Sequence, residues 1–296
     1  MRIQMENSDD TLTKICVCTC LFGNYEHLNE FPVELDSKVA RFCFTDNPNL
    51  QSDTWEIKVV KPAFEMDSVR SQRLVKILLH EYLDPKFDIS LYIDNSVLLK
   101  EKPEDLIEKY MQNADIAAPR HSHRLSVLDE FVLVAQEGLD DPARIFEQLN
   151  HYQMLEQDVL GAIPYWTAIL MRRHNRPNVK EAMRDWSNHV LRYSRRDQLS
   201  FNVALLDKEL TVQAIEMDDN SESQFHKWPV GTYRNNEKRN HSIAMSGASL
   251  RAQIRLEQMK CEEAKKIIKA NNNEIQRLSA ALKTAEIIMD KAGVRI

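Results

Sequence analysis

Phe87-Asp88-Ile89-Ser90-Leu91-Tyr92-Ile93-Asp94-Asn95-Ser96-Val97-Leu98-Leu99 is the stretch on which the reading of this chain turns. Ile89 to Ile93 is a short, apolar, β-prone run, the pattern of a strand buried on both faces. It stops at Asp94-Asn95-Ser96, three residues that favour turns, and apolar residues then resume. A carboxylate at the carboxyl end of a buried strand lies where open α/β sheets bind ligands, in the crevice above the strand ends. Its oxygens could hold a divalent cation or a ribose hydroxyl there. The same three residues also read as a plain turn, and their neighbours decide.

Upstream, Lys14 to Leu21 (KICVCTCL) predicts a first buried strand, closed by Phe22-Gly23-Asn24-Tyr25. Gly-Asn marks a tight turn, either a simple strand exit or a place for a nucleotide base or ribose. Val39 to Thr45 predicts a second strand, closed by Asp46-Asn47-Pro48, and Trp55 to Val60 a third. Ser68 to Leu83 reads as a helix with Val69, Leu74, Ile77, Leu78 and Tyr82 on an apolar face. Arg70, Arg73 and Lys76 recur along it, as a grip for a diphosphate or as a solvated charged face. Strand, helix and strand in succession predict a crossover unit and a mainly parallel sheet, an α/β fold.

Downstream, Pro103 to Met111 predicts a short helix and Asp115 to Pro119 a short strand. His121-Ser122-His123-Arg124 follows. Two histidines at i and i+2 suit a metal only on an extended segment, whereas a loop His and Arg suit a phosphate or an acceptor. Residues 125–138 and 142–158 read as helices, Thr167 to Met171 as a strand, and Val179 to Tyr193 as an amphipathic helix. Ser194-Arg195-Arg196-Asp197-Gln198-Leu199-Ser200-Phe201 then gathers two arginines, a carboxylate and an amide at a helix start. That set suits a polyhydroxylated, anionic ligand; it also reads as a helix cap with surface arginines. After residue 210 the chain turns polar and irregular, with Gln224 to Pro229 as a cluster around His226. Residues 248–292 read as one long helix. Ile254, Cys261, Ala264, Ile268, Asn271, Ile275, Leu278, Leu282, Ala285 and Met289 fall there on steps of three and four, with Glu257 interrupting the seam before Cys261; this heptad pattern predicts self-association, over a helix packed along its own domain. Asn271 on that seam is the kind of polar residue that fixes register.

Composition narrows the function. The formal net charge of −6 leaves no global basic footprint for nucleic acid. With 6 glycines in the chain, neither a G-x-G-x-x-G nor a P-loop pattern occurs. Cys16, Cys18 and Cys20 alternate on one strand and share a face, a poor arrangement for a disulfide. Without a second ligand pair for zinc, they read as buried thiols in a reduced compartment. The chain shows no signal-peptide pattern and no apolar run of membrane-spanning length, so the expectation is a cytoplasmic protein with no integral membrane span.

The separate stretches line up with a known family. Phe22-Gly23-Asn24-Tyr25, Arg41-Phe42-Cys43-Phe44-Thr45-Asp46, Trp55, Tyr92-Ile93-Asp94-Asn95, His121 with Arg124, Glu130, Gln148, Tyr152, Arg172-Arg173-His174, Trp186 and the 194–201 block occur in its order. From about residue 14 to 205 the chain resembles glycosyltransferase-like proteins first catalogued as a domain of unknown function. Their plant members include a seed-mucilage glycosyltransferase and a protein reported as an alkaline ceramidase. The resemblance implies a GT-A-like α/β sandwich over residues 12–247, with the helix of 248–292 outside it. It implies a nucleotide-sugar donor, a UDP-sugar, and a glycan or other hydroxyl acceptor, with a role in surface polysaccharide synthesis. A hexosyl- or glycuronosyltransferase is the expected enzyme, with an amide hydrolase or an inactive coiled-coil adaptor as alternatives. Asp94 matches the first carboxylate of an Asp-x-Asp signature that holds Mn²⁺ or Mg²⁺, but Ser96 replaces the second; either His226 adds a metal ligand, or Arg70, Arg73 and Lys76 neutralise the diphosphate without metal. Phe22, Gly23, Tyr25, Asp46, Arg70, Arg73, Lys76, Asn95, His121 and Arg124 are the expected donor contacts. Arg196, Asp197 and Gln198 are the expected catalytic group, Asp197 as general base or as an anchor for the donor sugar.

Overall fold

Ile15–Leu21 (β1) offers no polar face to water, and it folds as a strand covered on both sides. The computed structural model describes residues 14–155, 157–233 and 250–291. The outer limits drawn from sequence at 12, 247, 248 and 292 lie outside the described residues. The chain divides into two compact units, Met1–Ser246 and Gly247–Ile296.

In the first unit, β1 joins β2 (Ala40–Thr45), β3 (Glu56–Val59), β4 (Ile89–Ile93), β6 (Ile116–Pro119), β7 (Ile169–Arg172) and β8 (Val212–Ile215). Among the described residues they form one seven-stranded sheet in the order β3-β2-β1-β4-β7-β6-β8. β7 runs antiparallel to both of its neighbours and the other pairings are parallel. β5 (Leu98–Leu99) and β9 (His226–Lys227) form a separate two-stranded ribbon. The helices are α1 (Ser68–Ile77), α2 (Pro103–Tyr110), α3 (Val127–Gln136), α4 (Pro142–Leu155), α5 (Gln157–Leu160), α6 (Pro177–Arg192) and α7 (Gln198–Ala204).

Strand alternation builds two apolar layers. Cys16, Cys18, Cys20, Phe42, Phe44 and Tyr92 pack with Val75 and Ile77 of α1 and Trp186 of α6. Val17, Leu21, Leu91 and Ile93 pack on the opposite face with Trp55, Leu106 and Trp166. Full burial of each such aliphatic side chain contributes about 1.5–3 kcal/mol. Cys16, Cys18 and Cys20 are free and buried, as their spacing predicts, and Cys43 is free and buried too.

Two differences from the sequence reading have plain causes. The helix expected to reach Leu83 stops at Ile77, followed by a 3₁₀ turn over Leu79–Glu81. At that point the buried Arg172 guanidinium donates to the carbonyls of Lys76 and Ile77, each at 2.8 Å, closing the helix end with a side chain. β8 was hidden because its residues are mostly half-buried, leaving no continuous apolar run.

The second unit contains α8 (Leu250–Lys291), one 42-residue helix. Its seam residues Ile268, Ile275, Leu278 and Leu282 are exposed. No helix among the described residues is long and apolar enough to cross a membrane.

Candidate active site

β4 delivers Asp94 to the sheet edge, and the backbone fixes it there. Its amide donates to the Ala168 carbonyl at 2.8 Å, and its carbonyl accepts from Val97 at 2.8 Å, closing a turn. Antiparallel pairing of Ile93 with Ile169 sets Thr167 and Ala168, the approach to β7, beside Asp94. The turn reading of Asp94-Asn95-Ser96 is fulfilled in geometry, and the turn holds Asp94 at the sheet edge. Asn95 locks the turn: its amide accepts from Asn29 N at 2.8 Å and donates to the His27 carbonyl at 2.7 Å. Ser96 Oγ accepts from Trp228 Nε1 at 3.1 Å.

Above this edge lies a cleft of about 740 Å³, its open mouth included, lined by Asp94, Asn95 and Ser96 together with Asp197 and Gln198. α1 supplies one wall through Val69, Gln72, Arg73 and Lys76. Those positions follow the i, i+3, i+4, i+7 spacing of a single helix face. Lys76 is 1% exposed, and its Nζ lies 2.7 Å from Asp197 Oδ2 and 3.6 Å from Asp94 Oδ1. It also donates to Thr167 Oγ1 at 3.3 Å and sits 5.0 Å from the Tyr92 ring centroid. Arg73 Nε pairs with Asp197 Oδ1 at 2.9 Å, as an ion pair without hydrogen-bond alignment.

Burial alone would raise the Asp197 carboxyl, but Arg73, Lys76 and Arg196 hold it well below the usual carboxylate range. Burial would likewise lower the Arg73 guanidinium, and Asp197 and Asp94 keep it firmly charged. Burial, with Asp94 close by, pushes the Tyr92 hydroxyl well up, so it stays protonated and donates to Asp94 Oδ1 at 2.8 Å.

A surrounding frame holds these groups. Asp67 caps α1 by accepting from Arg70 N at 3.0 Å and pairs with Arg195 at 3.1 Å. Asp140 accepts from Ser194 Oγ and from the Arg195 amide, and Trp186 Nε1 donates to the Asp197 carbonyl at 2.8 Å. The 194–201 block thus lines the cleft through Arg196, Asp197 and Gln198 and serves the frame through Ser194 and Arg195.

The structure brings Tyr25, Arg73, Lys76, Asp94, Asn95, Arg196, Asp197 and Gln198 to this one cleft. Other expected donor contacts are corrected. Arg70 points away, because a residue six positions before Lys76 lies on another side of a helix; it donates to the carbonyls of Val190 and Tyr193. Phe22 is 1% exposed in the apolar core. Gly23 and Asp46 bind each other, the Gly23 amide donating to both carboxylate oxygens at 3.0 and 3.1 Å. His121 lies off the cleft, its Nδ1 accepting from His123 N at 3.1 Å, and burial beside Arg124 lowers it to about 4. Arg124 pairs with Glu130 at 3.1 Å, and Glu130 lies 3.9 Å from Arg196, so Arg124 reaches the cleft through two other side chains.

His226 is not placed as a metal ligand. It is buried, with Nε2 against the Asn220 carbonyl at 2.9 Å and Nδ1 against Ser223 Oγ at 2.7 Å. The carbonyl accepts only, so Nε2 carries the proton and Nδ1 takes the hydroxyl's. The other groups at the edge do not fit Mn²⁺ or Mg²⁺ better. Asp94 already faces an ammonium, and a divalent ion there would meet about 8 kcal/mol of repulsion at about 4 Å and an effective dielectric of about 20. Among the described residues no three His, Cys, Asp or Glu side chains are grouped to hold a metal ion.

Sequence reasoning missed Glu26, Gln72, Trp166 and Trp228, which also line the cleft. Gln72, which donates to the Cys20 carbonyl at 2.8 Å, was findable from the helical spacing of Val69, Arg73 and Lys76. Glu26 and Trp166 adjoin the predicted Tyr25 turn and the Thr167 strand, and Trp228 arrives by tertiary approach alone.

The sequence matches the family described as "TOD1/MUCI70, glycosyltransferase-like domain" over residues 3–227. The chain belongs to this family. A TOD1/MUCI70 relative from Arabidopsis thaliana, "Probable hexosyltransferase MUCI70", is 28% identical over 164 residues. That match covers 52% of this chain and 28% of the relative, so the chain spans little more than a quarter of that protein's length. The TOD1/MUCI70 domain here is a mixed α/β fold built on a mainly parallel seven-stranded sheet. Looser likenesses include the apo structure of the WbbM bifunctional glycosyltransferase, at 12% identity and a TM-score of 0.40 over 71% of this chain and 40% of that one. GlyE of Streptococcus pneumoniae TIGR4 gives 11%, 0.42, 69% and 45% for the same quantities, and mouse xyloside xylosyltransferase 1 gives 9%, 0.38, 68% and 85%.

Proposed function

We propose that the cleft binds a nucleotide-sugar, a UDP-sugar, and transfers its hexosyl or glycuronosyl group to a hydroxyl of a glycan acceptor. The observation that carries this reading is the meeting of Asp94 and Asp197 on one buried ammonium at the carboxyl edge of the sheet, within a family of glycosyltransferase-like domains. Such an edge is where α/β sheets take nucleotide ligands.

In the transfer, a bond forms from the acceptor oxygen to the sugar's anomeric carbon. The bond from that carbon to the phosphate oxygen breaks, and its electron pair stays on the diphosphate. The hydroxyl proton leaves to a cleft carboxylate or to water. Arg73, Lys76 and Arg196 face the cleft where charge on the leaving group needs stabilising. Asp197, held ionised by these cations, serves as their fixed counter-ion and as an acceptor for sugar hydroxyls; a carboxyl so strongly held is a weak general base at neutral pH. We place the reaction in the cytoplasm, in surface polysaccharide synthesis, and read α8 as pairing with a second copy through its seam.

A thermal-shift panel of UDP-, GDP-, CDP- and dTDP-sugars tests the donor reading, followed by mass spectrometry of glycan acceptors incubated with the binding donor. A rise in melting temperature with one nucleotide-sugar class, and an acceptor heavier by one sugar, are expected. No shift with any donor would sink the reading.

A further inference from the structure

We infer that this site takes the donor's diphosphate directly on protein cations, with the Lys76 ammonium occupying the place between Asp94 and Asp197 where a divalent ion would otherwise work. The inference rests on the nucleotide-sugar reading above and goes beyond it by naming how the diphosphate is held.

Three observations carry it. The side chains that a metal would need are committed elsewhere: Asn95 to Asn29 and His27, Ser96 Oγ to the Trp228 indole, and both ring nitrogens of His226 to Ser223 and Asn220. Asp94 is the only acidic side chain of the Asp94-Asn95-Ser96 turn; it accepts from the Tyr92 hydroxyl and already faces Lys76. A cation brought there would be repelled by the ammonium, whereas an anion would be drawn to it.

Second, Lys76 is fixed as a binding group must be. Arg172 holds the carbonyl of its own residue at 2.8 Å, Thr167 Oγ1 accepts from its Nζ, and the Tyr92 ring supports it from one side. A buried ammonium preorganised in this way loses little freedom when an anion arrives.

Third, its two carboxylate contacts are unequal. Asp197 lies at 2.7 Å and is buried, whereas Asp94 lies at 3.6 Å with a side chain 27% exposed. A phosphate oxygen can replace the longer contact while Asp197 keeps the ammonium in place. Asp94, released from it, is then free to accept from a ribose or sugar hydroxyl. Arg73 and Arg196 flank the same opening and supply the planar donors that grip phosphate oxygens.

The test is isothermal titration of the full chain with UDP, GDP, CDP and dTDP, in EDTA and separately with Mn²⁺ or Mg²⁺. One diphosphate is expected to bind with the same Kd in both buffers, within about three-fold. Lys76→Met should weaken it by about 10- to 100-fold, as the loss of a charged hydrogen-bond donor does, and Lys76→Arg should weaken it less. Should Lys76→Met fail to fold, Arg196→Met, at a more exposed position, should still weaken binding in EDTA. Binding that appears only with the divalent ion overturns the inference and leaves the nucleotide-sugar reading standing. Binding unaffected by both the Lys76 and Arg196 substitutions overturns it too. If no diphosphate binds in either buffer, the nucleotide-sugar reading itself falls, and the inference with it.

Discussion

Asp197 Oδ2 lies 2.7 Å from Lys76 Nζ, with both side chains almost wholly removed from water. Because Arg73 holds the other oxygen at 2.9 Å, one carboxylate balances two buried cations. Asp197→Asn keeps the shape and removes the charge. Breaking a buried ion pair from one side costs about 3–5 kcal/mol, so the urea midpoint should fall accordingly. Transfer activity should drop by about 100-fold or more, since the cations proposed to stabilise the leaving group lose their alignment. A variant with wild-type midpoint and activity would show that Asp197 is not their counter-ion.

Gly23 makes a second prediction. Its φ of 81° lies in the left-handed region, and a Cβ added there would stand 2.5 Å from Ser68 Oγ and 2.6 Å from Ser68 Cβ. Gly23→Ala should therefore destabilise by about 2 kcal/mol or more, combining backbone strain of about 1–2 kcal/mol with the clash. Adding Ser68→Gly should relieve the clash but leave the strain, so the double variant should melt between Gly23→Ala and wild type. Tyr25, two residues on, lines the cleft, and donor affinity should weaken alongside stability.

The strands could be read from sequence because β1, β2 and β4 are covered on both faces, and a short apolar run bounded by turn residues is the mark of such a strand. Asp94 and Asp197 were equally legible, the first as a charge ending such a run and the second within a dense polar block at a helix start. Arg70 misled because basic residues at i, i+3 and i+6 resemble a row without sharing a helix face; the cleft face runs through Val69, Gln72, Arg73 and Lys76. His226 misled in another way. A histidine among aromatic residues looks available, but its partners are a backbone carbonyl and a nearby serine that no pattern announces. Glu26 follows Tyr25 on the loop already singled out after β1, whereas Trp228 reaches the cleft from a distant loop, and nothing local in the chain encodes that approach.

The seam of α8 gives a third prediction. Ile268, Ile275, Leu278 and Leu282 are exposed at 58–63% on a single helix, and Asn271 lies among them on the same steps. If a second copy covers this seam, Ile275→Glu with Leu282→Glu in the full chain should lower the mass measured by light scattering to that of one chain. Asn271→Leu should instead hold the assembly together at lower protein concentration, with looser control of copy number. Masses that are unchanged in both variants would exclude pairing through α8.

A fourth prediction concerns acid. His174 is 1% exposed, its two ring nitrogens have no hydrogen-bond partner, and burial, with Arg172 close by, lowers it from 6.5 to about 4. The folded state therefore binds fewer protons here than the unfolded chain between about pH 6.5 and pH 4. Stability contributed by this group is complete above the unfolded value and is lost as pH falls toward the folded one. At pH 5 the loss from this one side chain reaches an upper bound of about 2 kcal/mol. The measurement is the urea midpoint at pH 7.5 and pH 5 for wild type and His174→Gln. Glutamine removes the titrating group, so the variant should start less stable at pH 7.5, with two buried amide ends to satisfy, yet lose less on acidification. Equal losses in the two proteins would mean that His174 does not carry the acid sensitivity.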